Sequence, residues 1–242
     1  MVWIRPSNGR VVRSGRLPVA THDFAGWAAR GGLLVAGGGN ISSVATVEQV
    51  LPSGAARVVG SLPRPRSDSV AAEVGRTAYI VGGYDGAVLD PAVLASSDAG
   101  KTFRRVARLP VPVRYPAVAT TGATLWVVGG QTAHGLTNVV QRVDTVSGEA
   151  RIAGRLPTAL DAATARAIGG QLIVAGGATP KGTTSAILTC AIPTVRCKVT
   201  GRLPFAVQNA AVATVAGRSY LLGGERNGAV LDDVATIDYT RR

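Results

Sequence analysis

The sequence predicts an all-β fold, a β-propeller of four-stranded blades, and two regularities carry this prediction. The dipeptide Leu-Pro recurs at intervals of 45, 47, 47 and 47 residues, and an apolar run ending in Gly-Gly begins its glycine pair 20 residues after each Leu. No helical period of 3.6 residues appears. Repeats of this length with many turn residues are typical of propeller blades. The five anchors are Leu17, Leu62, Leu109, Leu156 and Leu203.

Each repeat contains four predicted strands in a fixed order. A run of small apolar residues after Leu-Pro is strand A, and the run ending in Gly-Gly is strand B. Strand C, a turn and a basic strand D lead to the next Leu-Pro. The whole chain, 1–242, is therefore expected to be one propeller domain of five blades.

The two ends of the chain suggest how the ring closes. The segment "VWIRPSNGRVVRSGRLP" aligns with strands C and D of other repeats, and "DDVATIDYTRR" looks like another strand C. We expect five blades closed by strands from both termini, which would remove exposed sheet edges. Both termini offer a strand C, so two alternatives remain: residues 2–5 are an extra, displaced strand, or the chain is part of a larger ring with a missing blade.

These motifs resemble the kelch family of β-propellers, to which the central domain of galactose oxidase is related. The five Gly-Gly strands, the preceding Leu-Pro and "RVDTVSG" in one C–D turn carry the resemblance, which covers nearly the whole chain. The chain departs from it where kelch blades place a Tyr and a Trp seven positions apart. Those positions hold Val143 and Ala150, Cys190 and Cys197, and Ser96 and Phe103.

One C–D turn fits a second pattern. "SSDAGKTF", Ser96 to Phe103, resembles the Asp-box turn of sialidases and many other propellers. Asp98 can accept hydrogen bonds from backbone amides and Gly100 can adopt positive φ, so we expect a structural role.

Both cysteines of the chain lie in the hairpin "LTCAIPTVRCKVTG". Their offsets from the Gly-Gly place Cys190 opposite Cys197 on paired strands, close enough for a disulfide after slight adjustment. Two free thiols are the main alternative, and zinc is disfavoured because no histidine lies nearby. A disulfide would indicate an oxidising compartment, so we expect an extracytoplasmic domain whose signal or anchor lies outside this sequence.

Charge and composition limit the partners. The net charge is +12, from 26 basic and 14 acidic residues, and aromatic residues make up 5%. Few aromatics disfavour nucleic acid, and no apolar run is long enough to span a membrane. Preference for Arg over Lys and many Ala and Val are typical of a GC-rich bacterium. Eleven basic residues fall in the outer segments and form a predicted basic rim, open to an anionic polymer or surface: Arg13, Arg16, Arg57, Arg104, Arg105, Arg108, Arg151, Arg155, Arg196, Lys198 and Arg202.

Strands A and B are antiparallel neighbours, so the D–A and B–C loops should surround one mouth of the central channel. The fifth and sixth positions after each Leu of Leu-Pro are mostly polar, which core packing does not require. They are the predicted ligand-binding residues: His22, Asp23, Ser67, Asp68, Arg114, Tyr115, Asp161, Gln208 and Asn209, with Ala162 as the apolar exception. The B–C loops add Asn40, Tyr84, Asp85, Gln131, His134, Glu225 and Arg226.

We expect a non-enzymatic extracytoplasmic recognition or scaffold module, a monomer that binds a protein or glycan at this mouth. No cofactor, metal or catalytic residue is assigned, because the two histidines are in different repeats and no nucleotide or hydrolase motif occurs. The kelch resemblance also implies partner binding through these loops. The alternatives are a sugar-processing enzyme using the same mouth, epimerase-like or sialidase-like with Arg114, Tyr115 and Asp161, and a purely structural ectodomain.

Overall fold

The structure, a computed structural model, describes residues 1–5, 10–29, 31–215 and 218–238. All regular structure in these residues is antiparallel β-strand, without a helix. The strands form five successive sheets arranged as a propeller, which confirms the predicted fold class.

The chain begins with a hairpin, and each blade then runs from strand A outward. The hairpin is β1 (Val2–Ile4) and β2 (Val11–Ser14). Blade 1 is β3 (Ala25–Ala29), β4 (Gly32–Ala36), β5 (Thr46–Val50) and β6 (Ala56–Ser61). Blade 2 is β7 (Val70–Val74), β8 (Thr77–Val81), β9 (Ala92–Ser96) and β10 (Arg104–Arg108).

Blades 3 to 5 also carry a short hairpin between strands B and C. Blade 3 is β11 (Ala117–Thr121), β12 (Thr124–Val128), β15 (Val139–Asp144) and β16 (Ala150–Arg155), with β13 (Gln131–Thr132) and β14 (Gly135–Leu136). Blade 4 is β17 (Thr164–Ile168), β18 (Gln171–Ala175), β21 (Ala186–Ala191) and β22 (Arg196–Arg202), with β19 (Ala178–Thr179) and β20 (Gly182–Thr183). Blade 5 is β23 (Ala211–Val215), β24 (Arg218–Leu222) and β27 (Val234–Asp238), with β25 (Glu225–Arg226) and β26 (Ala229–Val230).

In blades 1 to 4, the Gly-Gly at the end of strand B packs against the loop that enters the next blade. Gly129 has φ +60°, and a Cβ there would lie 2.3 Å from the backbone oxygen of Leu160. Gly130 donates its N–H to the same oxygen at 2.8 Å. Only glycine permits both the left-handed conformation and this close approach. The repeated dipeptide therefore forms a backbone contact between consecutive blades.

Buried apolar clusters fill the four spaces between consecutive blades. Between blades 3 and 4, for example, Trp126 and Val128 of strand B meet Leu172 and Val174 of the next strand B. Among the described residues no such cluster joins blade 5 to blade 1. Leu33, the blade 1 counterpart of Leu172, is 43% exposed, whereas Leu172 is 0% exposed. The seam between the last and first blades is thus the least packed.

The pairing at that seam differs from the predicted closure. β2 does lie where an outer strand preceding blade 1 is expected, because a Cβ on its neighbour Gly15 would lie 3.0 Å from the backbone oxygen of Gly54 in the blade 1 turn. Its hydrogen-bonded partner, however, is β1 and not β27. Both termini supply a strand C, and β1 occupies the position beside β2. The described part of blade 5 accordingly has three strands in its sheet.

In blades 1 to 4, the C–D turn packs against the outer strand that precedes the blade. The Asp-box turn of blade 2 does so through Gly100, whose backbone oxygen would lie 2.2 Å from a Cβ on Gly60 of β6. Asp98 accepts hydrogen bonds from the Ser96 hydroxyl and from the N–H and hydroxyl of Thr102. These donors hold the pKa of Asp98 down, at about 2. The turn has the structural geometry predicted for it.

The two cysteines form the predicted disulfide. Cys190 and Cys197 are directly opposed in β21 and β22 and are bonded to each other. Cys190 is fully buried in the cluster between blades 3 and 4. The bond therefore closes the outer hairpin of blade 4, far from the mouth loops.

Candidate functional site

The D–A and B–C loops meet at one mouth in every blade, as predicted. An isolated antiparallel bridge joins the two loops each time, and it uses the first of the two mouth positions. The bridged pairs are His22 with Gly39, Ser67 with Tyr84, Arg114 with Gln131, Asp161 with Ala178, and Gln208 with Glu225.

The second mouth position has a left-handed backbone in all five blades. Asp23, Asp68, Tyr115, Ala162 and Asn209 have φ between 50° and 59°. Non-glycine residues adopt this conformation rarely, so a fivefold occurrence is imposed by the surrounding structure. Each of the last four donates its N–H to the backbone oxygen of the preceding member at 2.9 Å. We call these five residues the collar. No such bond joins Asn209 with Asp23 in the described chain, so the collar is not closed between blades 5 and 1.

This collar surrounds a cavity of about 260 Å³ to which all five blades contribute. Its polar groups are the Asp23, Asp68, Tyr115 and Asn209 side chains with Ser69. Its apolar wall is Phe24, Val70, Pro116, Ala162, Ala163, Ala210 and Ala211. The sequence prediction missed this wall, because small apolar residues at the start of strand A look the same whether they line a channel or a core.

Tyr115 lies between two carboxylates from other blades. Its hydroxyl donates a hydrogen bond to Asp23 at 3.3 Å. Burial first, and then the charges of Asp68 and Asp23, raise the pKa of Tyr115, so the phenol stays protonated. Burial also raises the pKa of Asp68, against the hydrogen bonds of Tyr115 and Ser67. The centre of the mouth therefore holds a protonated phenol between two carboxyl groups.

Arg114 is the positively charged group beside these carboxylates. Its Nε donates to Oε1 of Gln131 at 2.8 Å, and its guanidinium lies 3.6 Å from a carboxylate oxygen of Asp68. The same guanidinium lies over the rings of Tyr84 and Tyr115, 5.5 and 5.6 Å from their centroids. Four contacts fix its orientation before any ligand arrives.

Asp161 is a carboxyl group at the mouth whose pKa is shifted toward neutral pH. Burial raises the pKa of this carboxyl to about 6, and the positive charge of Arg114 opposes the rise. A carboxyl that changes charge near neutral pH in a cleft is a functional-site candidate.

The remaining predicted residues have lesser roles at the mouth. Ser67 shares a hydrogen bond with Ser43, and His22 pairs with its neighbour Asp23 at 2.8 Å while staying mostly exposed. Gln208 and Asn209 both donate to Glu225, which ties the blade 5 loops together.

The B–C loop predictions divide into two groups. Tyr84, Gln131 and Glu225 reach the mouth, as their bridges show. His134 and Arg226 lie exposed in the short B–C hairpins and Asn40 in an exposed loop. Asp85 accepts hydrogen bonds from the N–H groups of Ala87 and Val88 in its own turn.

Other described features bear on cofactors and partners. No group of three or more His, Cys, Asp or Glu residues is placed to hold a metal ion within the described ranges. In the same ranges no helix is long and apolar enough to cross a membrane. The residues of the basic rim are exposed on or beside the outer strands, where the sequence predicted them.

Comparisons with known proteins identify the fold and leave the family open. No family model matches the sequence. No curated protein matches it either. Many solved structures share the fold, and one titled "Structure of YjhT" aligns with a TM-score of 0.86 at 15% identity, over 98% of this chain and 87% of that one. At this identity the likeness concerns the propeller architecture alone.

Proposed function

We propose that this protein is a non-enzymatic recognition module of an extracytoplasmic compartment that binds a glycan or protein ligand at the mouth. One observation carries the proposal: a single cavity is lined by all five blades and combines two carboxylates, of which that of Asp68 is buried, with a phenol and an apolar wall. Concave sites with a few fixed polar groups among apolar ones are typical of ligand pockets.

The charges of the mouth indicate the kind of ligand group that fits. Asp68 lies 3.6 Å from the Arg114 guanidinium, whose charge also acts on Asp161, and Asp23 adds a third carboxyl group. The mouth is thus acidic in a chain whose net charge is +12. Carboxylates accept hydrogen bonds from hydroxyl and amide groups. Sugar hydroxyls, with the sugar's apolar face against Phe24 and Tyr115, suit this lining, and so does a polar loop of a protein.

Two further features support this reading. The repeats resemble kelch repeats, whose propellers bind partners through the same loops. The disulfide is compatible with an oxidising compartment outside the cytoplasm.

The test is a binding screen against glycans and cell-surface proteins, followed by quantitative measurement with variants. Arg114→Ala and Asp161→Ala should each weaken a confirmed interaction by about tenfold or more, since each removes a charged group that directly precedes a cavity-lining residue, Tyr115 or Ala162. His134→Ala, at an exposed loop, is the matched control and should bind like the wild type. Thermal melts verify that the variants fold. If both mouth variants bind normally, the ligand does not occupy the mouth.

A sugar-processing enzyme is the second candidate, and the titration of Asp161 favours it specifically. A carboxyl with a pKa of about 6 beside Arg114 can give or take a proton near neutral pH. NMR spectra of a panel of reducing sugars, recorded with catalytic amounts of protein, would detect epimerisation or faster anomer exchange. Activity that Asp161→Asn abolishes would replace the recognition proposal with this one, and a purely structural ectodomain would show neither binding nor activity.

A further inference from the structure

Blade 2 carries a second cavity, separate from the mouth, with a volume of about 630 Å³. We call it the blade 2 groove. It lies between the loop that enters blade 2 from blade 1, the B–C loop of blade 2 and the outer strand β10. Its lining is Pro63, Arg64, Arg66, Asp85, Val88, Leu89, Asp90, Pro91, Ala92, Leu94, Arg105 and Arg108.

A β-bulge brings two arginines of β10 to the same side. Arg105 is opposite Leu94 and Arg108 is opposite Ala92, with a register shift between them. Alternate residues of β9 point to one face, so the bulge turns Arg105 and Arg108 toward the same groove. Both are exposed, and neither donates a hydrogen bond or ion pair within the described residues.

Two of the groove arginines, Arg64 and Arg105, have uncharged counterparts in the other four-stranded blades. The Arg108 position also holds arginine in blades 3 and 4, and β2 has Arg13 at the Arg105 position. The position of Arg105 holds Val58, Ile152 and Val199 in blades 1, 3 and 4. The position of Arg64 holds Val19, Val111, Thr158 and Phe205 in the other repeats. Among the four-stranded blades, arginine at the positions of Arg64 and Arg105 therefore occurs in blade 2 alone, where both residues line the groove.

The loop that enters blade 2 lacks a hydrogen bond to strand C that blades 1 and 3 form, and blade 4, with Leu188 at this position, has no acceptor side chain either. In blades 1 and 3, Glu48 and Gln141 of strand C accept a hydrogen bond from the backbone N–H at the Arg64 position, at 2.7 and 2.9 Å. Blade 2 has Leu94 at the corresponding position of strand C, and Leu94 cannot accept this bond. Leu94 lines the groove instead.

A buried ion pair forms one wall of the groove. Arg66, 1% exposed, pairs with Asp90 and donates to the backbone oxygens of Gly82 and Ala92. Its Nε has no hydrogen-bond partner. Asp90 neutralises Arg66, and the Asp85 carboxylate opposes the charge of Arg64, so Arg105 and Arg108 leave the groove with a net positive charge.

We propose that the blade 2 groove binds an organic oxyanion, a molecule whose carboxylate, sulfate or phosphate group is held by Arg64, Arg105 and Arg108. Guanidinium groups recognise such oxyanions through paired N–H donors. The apolar part of the molecule contacts Pro63, Val88 and Pro91. The site is independent of the mouth and does not require the function proposed for it.

The experiment titrates the protein with three probes in separate arms, citrate, inorganic phosphate and inorganic sulfate, at low ionic strength by NMR. Saturable shifts of the amides around Arg64 to Arg66 and Asp85 to Ala92 are expected with at least one probe. The order of affinities then identifies the preferred oxyanion. Arg64→Val combined with Arg105→Val, which copies residues of blade 1, should weaken binding by about tenfold or more.

The controls separate this site from general attraction by a basic protein. Arg202→Ser removes the same charge at the position of Arg108 in blade 4 and should change the affinity less than twofold. Arg114→Ala should leave groove binding unchanged even where it abolishes binding at the mouth. The proposal is overturned if no probe saturates, or if Arg202→Ser weakens binding as much as the double variant.

Discussion

Arg66 is the residue whose environment most clearly departs from the repeat. Blades 3, 4 and 5 have Val113, Leu160 and Val207 at its position, all buried. Burial lowers the pKa of Arg66, and the charge of Asp90 opposes this shift. A buried ion pair commonly stabilises no better than apolar residues of similar size. Stability alone therefore does not explain Arg66, which agrees with a role in the blade 2 groove.

Two variants should separate the cost of breaking this pair from the cost of replacing it. Asp90→Thr alone leaves the Arg66 guanidinium buried without a countercharge and should lower the unfolding free energy by about 3–5 kcal/mol. Arg66→Val with Asp90→Thr reproduces the Val113 and Thr137 pair of blade 3 and should be neutral or stabilising. Urea denaturation of the three proteins tests this. Equal losses in both variants would contradict it.

Asp161 should make stability depend on pH between about 4 and 6. An unfolded Asp titrates near 3.9, while the folded group titrates at about 6. In that window the native state holds more protons than the unfolded state, so this group lowers stability as pH rises. The loss levels off above pH 6 at no more than about 3 kcal/mol. Asp161→Asn should lack this fall and be more stable at pH 7, as measured by urea denaturation at several pH values. At pH 4 the two proteins should agree.

At the scale of the strand, the contact between each C–D turn and the preceding strand D depends on a small residue. A Cβ on Gly60 would lie 2.2 Å from the Gly100 backbone oxygen, and one on Gly154 would lie 2.6 Å from Cβ of Val195. Gly201 occupies the same position in blade 4, yet its Cβ would meet Ile187 at an ordinary 3.7 Å. Among the described residues, no atom lies nearer to a Cβ on Gly201 than this side chain.

Gly60→Ala should therefore destabilise the protein by about 1–3 kcal/mol, the usual effect of overpacking. Gly201→Ala, with room for the methyl group, should change stability by less than about 1 kcal/mol or increase it slightly. Thermal unfolding of the two variants makes the comparison. Equal melting temperatures would show that the turn can move away from β6.

The disulfide should stabilise the outer hairpin of blade 4 by limiting the unfolded chain. Cys190 and Cys197 are seven residues apart, so the closed loop is short and the expected contribution is about 2–3 kcal/mol. Cys190→Ser with Cys197→Ser also places a hydroxyl in the cluster of Trp126 and Leu172, so Cys190→Ala with Cys197→Ser is the milder form. Denaturation of both forms under oxidising conditions measures the loss. An unchanged midpoint would indicate that the hairpin is already ordered in the unfolded state.

At the scale of the whole molecule, sequence spacing predicted the blades well because the same residues mark the same positions in each repeat. Leu-Pro and Gly-Gly mark a fixed path, and the pair of positions after Leu-Pro was predicted to reach the mouth. The contacts between Tyr115 and Asp23 join different repeats, so no spacing within one repeat contains them. Arg66 was not identified from the sequence, although an alignment of the repeats distinguishes it. Blades 3 to 5 have Val or Leu at its position.

The closing of the ring was the least predictable feature, since two candidate strands compete for one place. The structure pairs β1 with β2. Within the described ranges, the seam between blades 5 and 1 has neither a fifth collar bond nor a fifth apolar cluster. Residues at aligned positions should then contribute less to the unfolding free energy at the seam than between other blades. Leu33 is 43% exposed, while its counterparts Leu125 and Leu172 are 0% exposed.

Leu172→Ala and Leu125→Ala should each lower the unfolding free energy by about 2–5 kcal/mol, because each leaves a cavity between two blades. Leu33→Ala should cost less than about 1 kcal/mol, since much of its side chain already contacts water. The three variants carry the same chemical change at the same repeat position, so each is a control for the others in urea denaturation. A large loss from Leu33→Ala would show that the seam is packed in solution, by a tighter ring or by another copy of the chain. Sedimentation at two protein concentrations would distinguish these, because only the second depends on concentration.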